Sequence, residues 1–307
     1  MKITRGMYKN ESCYILESEK LRVSALPQCG GKIQSVIYKP CGKELLFQSP
    51  GDTYRRSEYA DPWGSGEISG FDEIFPTITP CHYPAYPWDG THIPCHGEVW
   101  SIPWQAKETE NGLFLLVHGV RLPYILSKTV ALSDDGASFR QSYTVKNTAA
   151  FDMDIIWAAH PLFEVNENMR IELPPETTRI INVFSGSGTL GSYGSVHGWP
   201  HETVGRIGPR SNHRAEKFYV FDRIVTGSCA LVDDKTGVRI EISYPAQKLP
   251  YLGVWINEAG LDGQYNAALE PCTSGYDRLD ATREWGRSCV LGPYCELEWY
   301  LELSVSH

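Results

Sequence analysis

The chain has 307 residues, of which 42% are hydrophobic and 21% are charged, the composition of a folded globular protein and not of a disordered one. Lys and Arg total 28 against 37 Asp and Glu, and the resulting net charge of −9 argues against nucleic acid or an anionic membrane as the partner. No apolar run approaches the roughly 18 residues that a membrane-spanning helix needs.

Cysteine usage and the first residues bear on where the protein works. The nine cysteines are an odd number without a CxxC pair, unlike the dense and even disulfide framework of small secreted proteins, so we expect reduced thiols. The opening residues, MKITRGMYKNESCYIL, contain no apolar stretch of the kind found in signal peptides. We therefore expect a cytoplasmic protein.

Alternation of apolar and polar residues at every second position dominates the chain and indicates β-strands. In residues 297–305, for example, Leu297, Trp299 and Leu301 alternate with polar side chains. The other candidate strands, in chain order, are 20–26, 32–38, 113–121, 127–132, 137–147, 153–160, 216–222, 228–233, 237–244, 251–257 and 265–270. No window of 12 residues shows a convincing helical period, and no linker marks a boundary. We predict an all-β fold, a large sandwich or barrel, forming a single domain over residues 1–307.

Two long stretches break this alternation. Residues 50–104 contain eight prolines, and residues 184–214 are rich in Gly and Ser. Loops of this length inside a compact domain are commonly binding elements or lids. We therefore expect both stretches to lie near the functional site.

Two short motifs match known functional patterns, a dinucleotide-binding motif and half of a zinc deaminase motif, but their sequence context argues against both functions. Residues 186–191 fit the GxGxxG dinucleotide fingerprint, but the following SYGSVHGWP cannot begin the helix whose amides would hold the phosphates. His96-Gly97-Glu98 resembles the H-x-E half of the zinc deaminases, but the second half, P-C-x-x-C, is missing.

A metal site is conceivable in the first loop, which contains His82, His92, His96 and Glu98. Imidazoles and a carboxylate suit zinc or iron chemically. The irregular segment between the histidines fixes no ligands on one face, so histidines bonded to backbone or solvent are the favoured interpretation. We expect neither a metal nor a cofactor.

Two side chains stand at the ends of apolar strands, each followed by proline. His160 ends the run IIWAAH before Pro161, and Glu270 ends AALE before Pro271. Proline holds the preceding residue extended and ends the strand, and an unpaired charge in such a place is costly. Each residue alone would often be a satisfied polar group of the core. The presence of both suggests a shared polar cavity, in which a pair of this kind suits acid–base chemistry.

Three further residues are candidates for substrate binding. His96 lies where the chain re-enters a strand. A histidine that only caps or bonds the backbone there would give the same sequence pattern as one that binds substrate. Asp72 and Glu73 are adjacent, so a strand would point them to opposite faces and only one of them could share a site with His160. Trp255 lies in a strand, where most tryptophans belong to the core, but its ring could also pack on the apolar face of a sugar.

Taken together, these residues resemble a divergent branch of the aldose 1-epimerase (galactose mutarotase-like) superfamily. The matching segments appear in the family's order over roughly residues 20–305 and are LPQCGGKIQSVIYKPCGKELLF, FDEIFPTI, PCHGEVW, WAAHPLFEV, PYLGVWIN and ALEPCTSG. The resemblance implies a β-supersandwich that interconverts the α and β anomers of a sugar.

The resemblance also implies roles for particular residues. His160 matches the family's general acid, Glu270 its general base and His96 a substrate-binding histidine. The implied partner is a small carbohydrate bound without a cofactor, and the implied protein is a monomer or a homodimer.

Two positions depart from the family's pattern. Where an Asn-Arg segment is usual, this chain has Phe75-Pro76-Thr77-Ile78, so the expected arginine contact is missing. The aspartate that binds a sugar hydroxyl has only Asp222 as a candidate.

Acid–base opening of a sugar ring needs one protonated and one unprotonated group. Reference pKa values of about 4.3 for Glu and about 6.5 for His leave Glu270 ionised at neutral pH, whereas His160 needs a neighbouring carboxylate to keep its proton. A glycosidase or lyase is an alternative, with Asp72 or Glu98 as the second carboxylate beside Glu270. A carbohydrate-binding protein without catalysis is another.

A phosphorylated sugar is a further possibility, because arginine binds phosphate through two parallel hydrogen bonds. The second long loop contains Arg206, Arg210, His213 and Arg214, and the first contains Arg55 and Arg56. A solvated basic loop on an acidic protein would look the same.

Overall fold

The computed structural model describes residues 2–307 and consists almost entirely of antiparallel strands. The first strands are β1 Lys2–Tyr8, β2 Glu11–Glu17, β3 Leu21–Leu26, β4 Lys32–Tyr38, β5 Lys43–Glu44, β6 Phe71–Ile74, β7 Cys81–His82, β8 His92–Ile93, β9 Gln105–Thr109, β10 Gly112–His118, β11 Tyr124–Leu132 and β12 Ser138–Asn147. The remaining strands are β13 Met153–Ile155, β14 Ala158–Pro161, β15 Phe163–Glu164, β16 Met169–Glu172, β17 Arg179–Ser185, β18 Val196–Gly198, β19 Arg214–Val220, β20 Ser228–Asp233, β21 Arg239–Ser243, β22 Tyr251–Glu258, β23 Tyr265–Cys272, β24 Cys289–Leu291 and β25 Glu296–Ser306. A 3₁₀ turn spans Arg210–Asn212 and one short helix, α1, spans Leu279–Glu284.

Two large sheets dominate the architecture. The first has 13 strands, in the order β1-β2-β3-β4-β6-β14-β23-β22-β19-β17-β18, with β5 paired to β4 and β15 to β23. The second has eight strands in the order β16-β20-β21-β25-β12-β11-β10-β9. Apolar side chains of both sheets meet in one large buried cluster, so the sheets pack face to face as a β-sandwich. The all-β prediction is confirmed.

Charged residues are also buried between the two sheets. Lys128 of β11 donates to Glu73 of β6 at 2.7 Å, and both side chains are fully buried. Tyr143 and Trp157 also donate to the Glu73 carboxylate. Glu73 therefore belongs to the core between the sheets, and its neighbour Asp72 points to the opposite, outer face of the first sheet.

All of the candidate strands overlap strands of the structure. The prediction for 153–160 was wrong in its continuity, because β13 pairs with β24 in a separate small sheet and β14 joins the main one. The chain changes sheets at Ile156 and Trp157, whose amides donate to Pro76 and to the Thr273 hydroxyl.

Several strands escaped prediction because they do not alternate clearly. β1 lies at the edge of the large sheet and buries little of either face. β6 is buried at all four positions although it carries two acidic residues. Apart from β6, β7 and β8, residues 50–104 form loops, as predicted.

The structure also bears on three exclusions made from the sequence. No helix follows residues 186–191, which lie in the connection between β17 and β18, so the dinucleotide fingerprint is coincidental. Within residues 2–307, no group of three or more His, Cys, Asp or Glu side chains is arranged to hold a metal ion. Over the same residues, no helix is long and apolar enough to cross a membrane.

Candidate active site

The outer face of the 13-stranded sheet carries the two proline-flanked residues side by side. β14 pairs with β23 through Ala158 and Cys272, and this antiparallel register, continued by two residues, sets His160 opposite Glu270. His160 Nε2 lies 3.8 Å from Glu270 Oε1. The fold therefore brings together an imidazole and a carboxylate that are 110 positions apart in the sequence.

Both side chains face a cavity of about 580 Å³. Its lining includes four of the five predicted site residues: His160, Glu270, His96 and Trp255. His160 is 5% exposed and Glu270 is 0% exposed, yet neither His160 Nδ1 nor Glu270 Oε1 has a hydrogen-bond partner among residues 2–307. Buried polar atoms are rarely left unpaired, so this pair is a candidate for contact with a ligand.

A lysine that sequence reasoning missed stands beside the pair. Lys217 of β19 places its ammonium 2.9 Å from Glu270 Oε2 and 3.2 Å from Asp277 Oδ1. Tyr219, two residues further along the same strand, donates to Asp277 at 2.7 Å. The cavity thus contains one buried ammonium shared by two carboxylates.

A signal for Lys217 was present in the sequence. Residues 216–222 were predicted as a strand, and Glu216 and Lys217 are two adjacent charges at its start. All seven residues of β19 are buried, which leaves these charges in the same unfavourable position that singled out Glu270. Asp277 and Trp63, which also line the cavity, lie in irregular segments where no periodicity indicates burial.

Burial controls the protonation of the acid–base pair. It lowers the pKa of His160 well below its ordinary value, and electrostatic contributions from His96, Lys217 and Lys32 lower it further. Burial raises the pKa of Glu270, an effect that Lys217 opposes. The expectation that a carboxylate keeps His160 protonated was therefore wrong: the nearest carboxylate is already neutralised by Lys217.

His96 reaches the cavity from an irregular turn. Its backbone has a left-handed φ of 58°, and its ring stacks on Trp63 at 4.8 Å and meets the edge of the His160 ring at 5.1 Å. Burial lowers the pKa of His96 to about 3, with a further contribution from Lys217. At neutral pH, His96 is therefore an uncharged hydrogen-bonding group.

Asp72 lies on the predicted face, but not at the cavity. It is the register partner of His160, so both point outwards from the sheet. Its carboxylate contacts the Lys32 ammonium at 3.1 Å and accepts from Trp63 Nε1 at 3.3 Å. Asp72 is 2% exposed and is absent from the cavity lining, so the structure does not place it in contact with a substrate. Asp72 instead holds the indole of Trp63 in place through this hydrogen bond.

Glu98 is fully buried away from the cavity and accepts from Tyr59, Tyr124 and two backbone amides. The glycosidase alternative needs a second carboxylate in the cavity beside Glu270. Neither Asp72 nor Glu98, the two candidates for this role, lines the cavity. His82 and His92 face each other across the β7–β8 hairpin, separate from His96.

The arginines considered for phosphate do not line this cavity. Arg206 pairs with Asp234, Arg214 pairs with Glu258, and Arg56 pairs with Glu11. Asp222 forms an exposed ion pair with Arg179 and is likewise remote from the cavity. The carboxylate near the pair is Asp277 instead.

A second, larger hollow of about 730 Å³ lies elsewhere, between β16 and the connection that follows β18. It contains neither His160 nor Glu270, and its arginines 170, 206 and 239 are all engaged by carboxylates. The unpartnered buried groups point instead to the smaller cavity as the functional site.

The fold of this chain is similar to the folds of several solved structures. The Slr1438 protein of Synechocystis is 19% identical to this chain, with 98% of each chain covered and a TM-score of 0.73. A galactose mutarotase related enzyme of Lactobacillus acidophilus is 16% identical, with 96% of this chain and 97% of that one covered and a TM-score of 0.71. A Klebsiella pneumoniae protein provisionally named an aldose 1-epimerase is 17% identical, with 100% and 82% covered and a TM-score of 0.75.

The fold is thus galactose mutarotase-like, as the resemblance in the sequence implied. Residues 3–93 match the model of a domain family of unknown function, DUF5107. No curated protein matches the sequence. These similarities therefore show the fold alone.

Proposed function

We propose that the protein is an isomerase of the aldose 1-epimerase type, which interconverts the α and β anomers of a sugar with His160 and Glu270 as its acid–base pair. The observation that carries the proposal is the 3.8 Å approach of two buried, hydrogen-bond-deficient groups at the wall of one cavity. No metal or redox group is needed for this reaction.

Mutarotation moves two protons and breaks one carbon–oxygen bond. A base takes the proton of the anomeric hydroxyl while an acid protonates the ring oxygen, and the ring opens to a free carbonyl compound. After rotation about one bond, both transfers run backwards and close the ring on the other face. The pair therefore needs one shared proton, and the two groups exchange roles within each turnover.

The family resemblance assigns the acid role to His160 and the base role to Glu270. The two pKa shifts displace the shared proton away from His160 and towards Glu270. We therefore assign the catalytic proton to the pair as a unit, because the imidazole and the carboxylate lie only 3.8 Å apart. Lys217 holds the Glu270 carboxylate in place, and His96 offers an uncharged ring to a sugar hydroxyl.

Polarimetry on freshly dissolved single anomers tests the proposal. The protein should accelerate the approach of α-glucose or α-galactose to equilibrium above the rate in buffer. A carbohydrate-binding protein without catalysis would bind the sugar in a calorimeter and leave the spontaneous rate unchanged. Release of new reducing ends from an oligosaccharide would favour the glycosidase alternative instead.

A further inference from the structure

The cavity is larger than one sugar ring needs. A cavity of about 150 Å³ is filled by benzene, a single six-membered ring, whereas this one measures about 580 Å³. Its lining continues past Trp255 to Asn257, Leu261 and Gln264, at the far end of β22 and in the connection that follows. Room for further substrate therefore extends away from the acid–base pair.

The strand register arranges the residues of the sheet beneath the cavity in two parallel rows. The first row contains the acid–base pair, since Tyr219 is opposite Gly253 and Gly253 is opposite Glu270. The second row lies two residues further along the strands, a step of about 6.8 Å, so the two rows are roughly one sugar ring apart. Its members across four strands are Phe184, Lys217, Trp255 and Ala268.

A β-bulge brings Phe184 into the second row. Asn182 is opposite Phe218 and Phe184 is opposite Lys217, so Val183 is the extra residue of β17. Bulges re-aim side chains next to functional sites. The Phe184 ring lies 5.9 Å from the Trp255 ring, and Phe184 is 40% exposed. Two aromatic rings thus form an open wall beside the acid–base pair.

The floor below this wall is a small apolar cluster, of which Ile68 lines the cavity. Ile68, Leu162 and Ala268 form a separate buried cluster, against which Trp63 and Trp255 pack from their partly buried positions. The C–H face of a pyranose matches such a surface, while its hydroxyls lie at the ring edge. Asp262 and Gln264, which line the same end of the cavity, offer oxygen atoms to those hydroxyls.

The charges of the cavity fit a neutral ring better than a phosphate. Lys217 and Arg278 are the lysine and arginine side chains that line it within residues 2–307. Lys217 is paired with Glu270 and Asp277, and Arg278 is paired with Asp280. An incoming phosphate would therefore meet no unpaired lysine or arginine there.

We propose that Phe184, Trp255 and the apolar floor form a binding subsite for a second pyranose ring, so that the substrate is a reducing disaccharide or a longer oligosaccharide. The reducing ring lies at His160 and Glu270, and the next ring stacks against the aromatic wall. This inference rests on the proposed anomer interconversion for its kinetic readout and stands on its own for binding.

The test compares monosaccharides with reducing disaccharides that crystallise as single anomers. Initial mutarotation rates of α-glucose, α-lactose and β-maltose are measured by polarimetry with the wild-type protein. We expect kcat/KM for at least one disaccharide to exceed that for glucose tenfold or more. Phe184→Ala should lower the ratio of disaccharide to monosaccharide kcat/KM at least tenfold, since the aromatic wall is lost.

Phe151→Ala provides a matched control, because Phe151 is 42% exposed and lies outside the cavity lining. It should leave the ratio unchanged. The subsite is overturned if glucose is turned over as efficiently as the disaccharides and Phe184→Ala does not alter the ratio.

Binding keeps this outcome separate from a failure of the proposed function. If the protein accelerates no mutarotation at all, calorimetric titration with maltose and glucose decides the question of the subsite. Tighter binding of maltose that weakens in Phe184→Ala supports it without catalysis. Equal affinity for both sugars, or no binding of either, overturns it.

Discussion

At the scale of single residues, the site is governed by the cost of burying charge. His160, Glu270 and Lys217 are all at least nine-tenths buried, and Lys217 lowers the pKa of both His160 and Glu270. Burial favours the neutral forms of the imidazole and the carboxyl, while the ammonium favours the ionised carboxylate. A neutral imidazole beside a neutral carboxyl holds one proton between the two groups, which the proposed reaction requires.

The pH dependence of activity should report this shared proton. Below the pair's lower apparent pKa both groups carry a proton and no base remains, and above its upper apparent pKa neither carries one and no acid remains. Because burial raises the pKa of Glu270, the alkaline limb of kcat/KM should lie above pH 4.5, the ordinary value for Glu. A profile that is flat between pH 4 and 9 would contradict the assignment.

Replacing Lys217 should move the profile in a defined direction. The ammonium lowers the pKa of both His160 and Glu270, so Lys217→Met should shift both limbs of the kcat/KM profile to higher pH. Lys235→Met, at an exposed lysine, is the control and should leave the profile in place. A loss of activity without any shift would show that Lys217 has a purely structural role.

At the scale of elements, strand register builds the site from distant parts of the chain. The prolines after His160 and Glu270 drew attention to both residues in the sequence. The prediction that these prolines end the strands was wrong, because β14 includes Pro161 and β23 continues through Pro271 to Cys272. Trp63 and Asp277 could not be found in this manner, since their positions depend on tertiary contacts of irregular segments. The absence of Asp72 from the cavity lining could not be predicted either. Its carboxylate is bound by Lys32 and Trp63, and no local sequence pattern links these residues to it.

The turn at residues 95–97 is the element most sensitive to a small change. Gly97 has a φ of 74°, and a Cβ there would lie 1.9 Å from the carbonyl oxygen of Phe75. Gly97→Ala should therefore displace the turn, lower the stability measured by urea unfolding by more than about 1–2 kcal/mol, the cost of the left-handed backbone alone, and reduce mutarotation by moving His96.

Gly90→Ala is the matched control for this prediction. Gly90 has a similar φ of 77°, but a Cβ there meets no atom within 4 Å. It should show the backbone cost alone and retain activity. Equal effects of the two substitutions on stability and on rate would mean that the close approach to Phe75 is unimportant.

At the scale of the whole molecule, the sandwich is held by a large apolar interface with a buried ion pair at its centre. Alternation in the sequence was sufficient to predict the all-β fold and many strands of this interface, but not β6, which carries Glu73. The partners across it, Glu73 of one sheet and Lys128 of the other, are 55 residues apart and no local pattern links them.

Breaking this pair should destabilise the protein strongly. Lys128→Met leaves the Glu73 carboxylate buried without its counter-ion and should cost about 3–5 kcal/mol of unfolding free energy in urea. The double variant Glu73→Gln/Lys128→Met should cost less than the sum of the two single variants, because no buried charge remains. Additive effects, or a cost below about 1 kcal/mol for Lys128→Met, would contradict this account.

The central claim, that His160 and Glu270 share the proton of anomer interconversion, is tested most directly by the mutarotation rates of His160→Asn and Glu270→Gln measured beside His82→Asn, an exposed histidine outside the cavity. With circular dichroism confirming the fold of each variant, both site variants should lose about 10²–10⁴-fold in kcat/KM while the control retains the wild-type value. Wild-type rates in either folded site variant would contradict the claim.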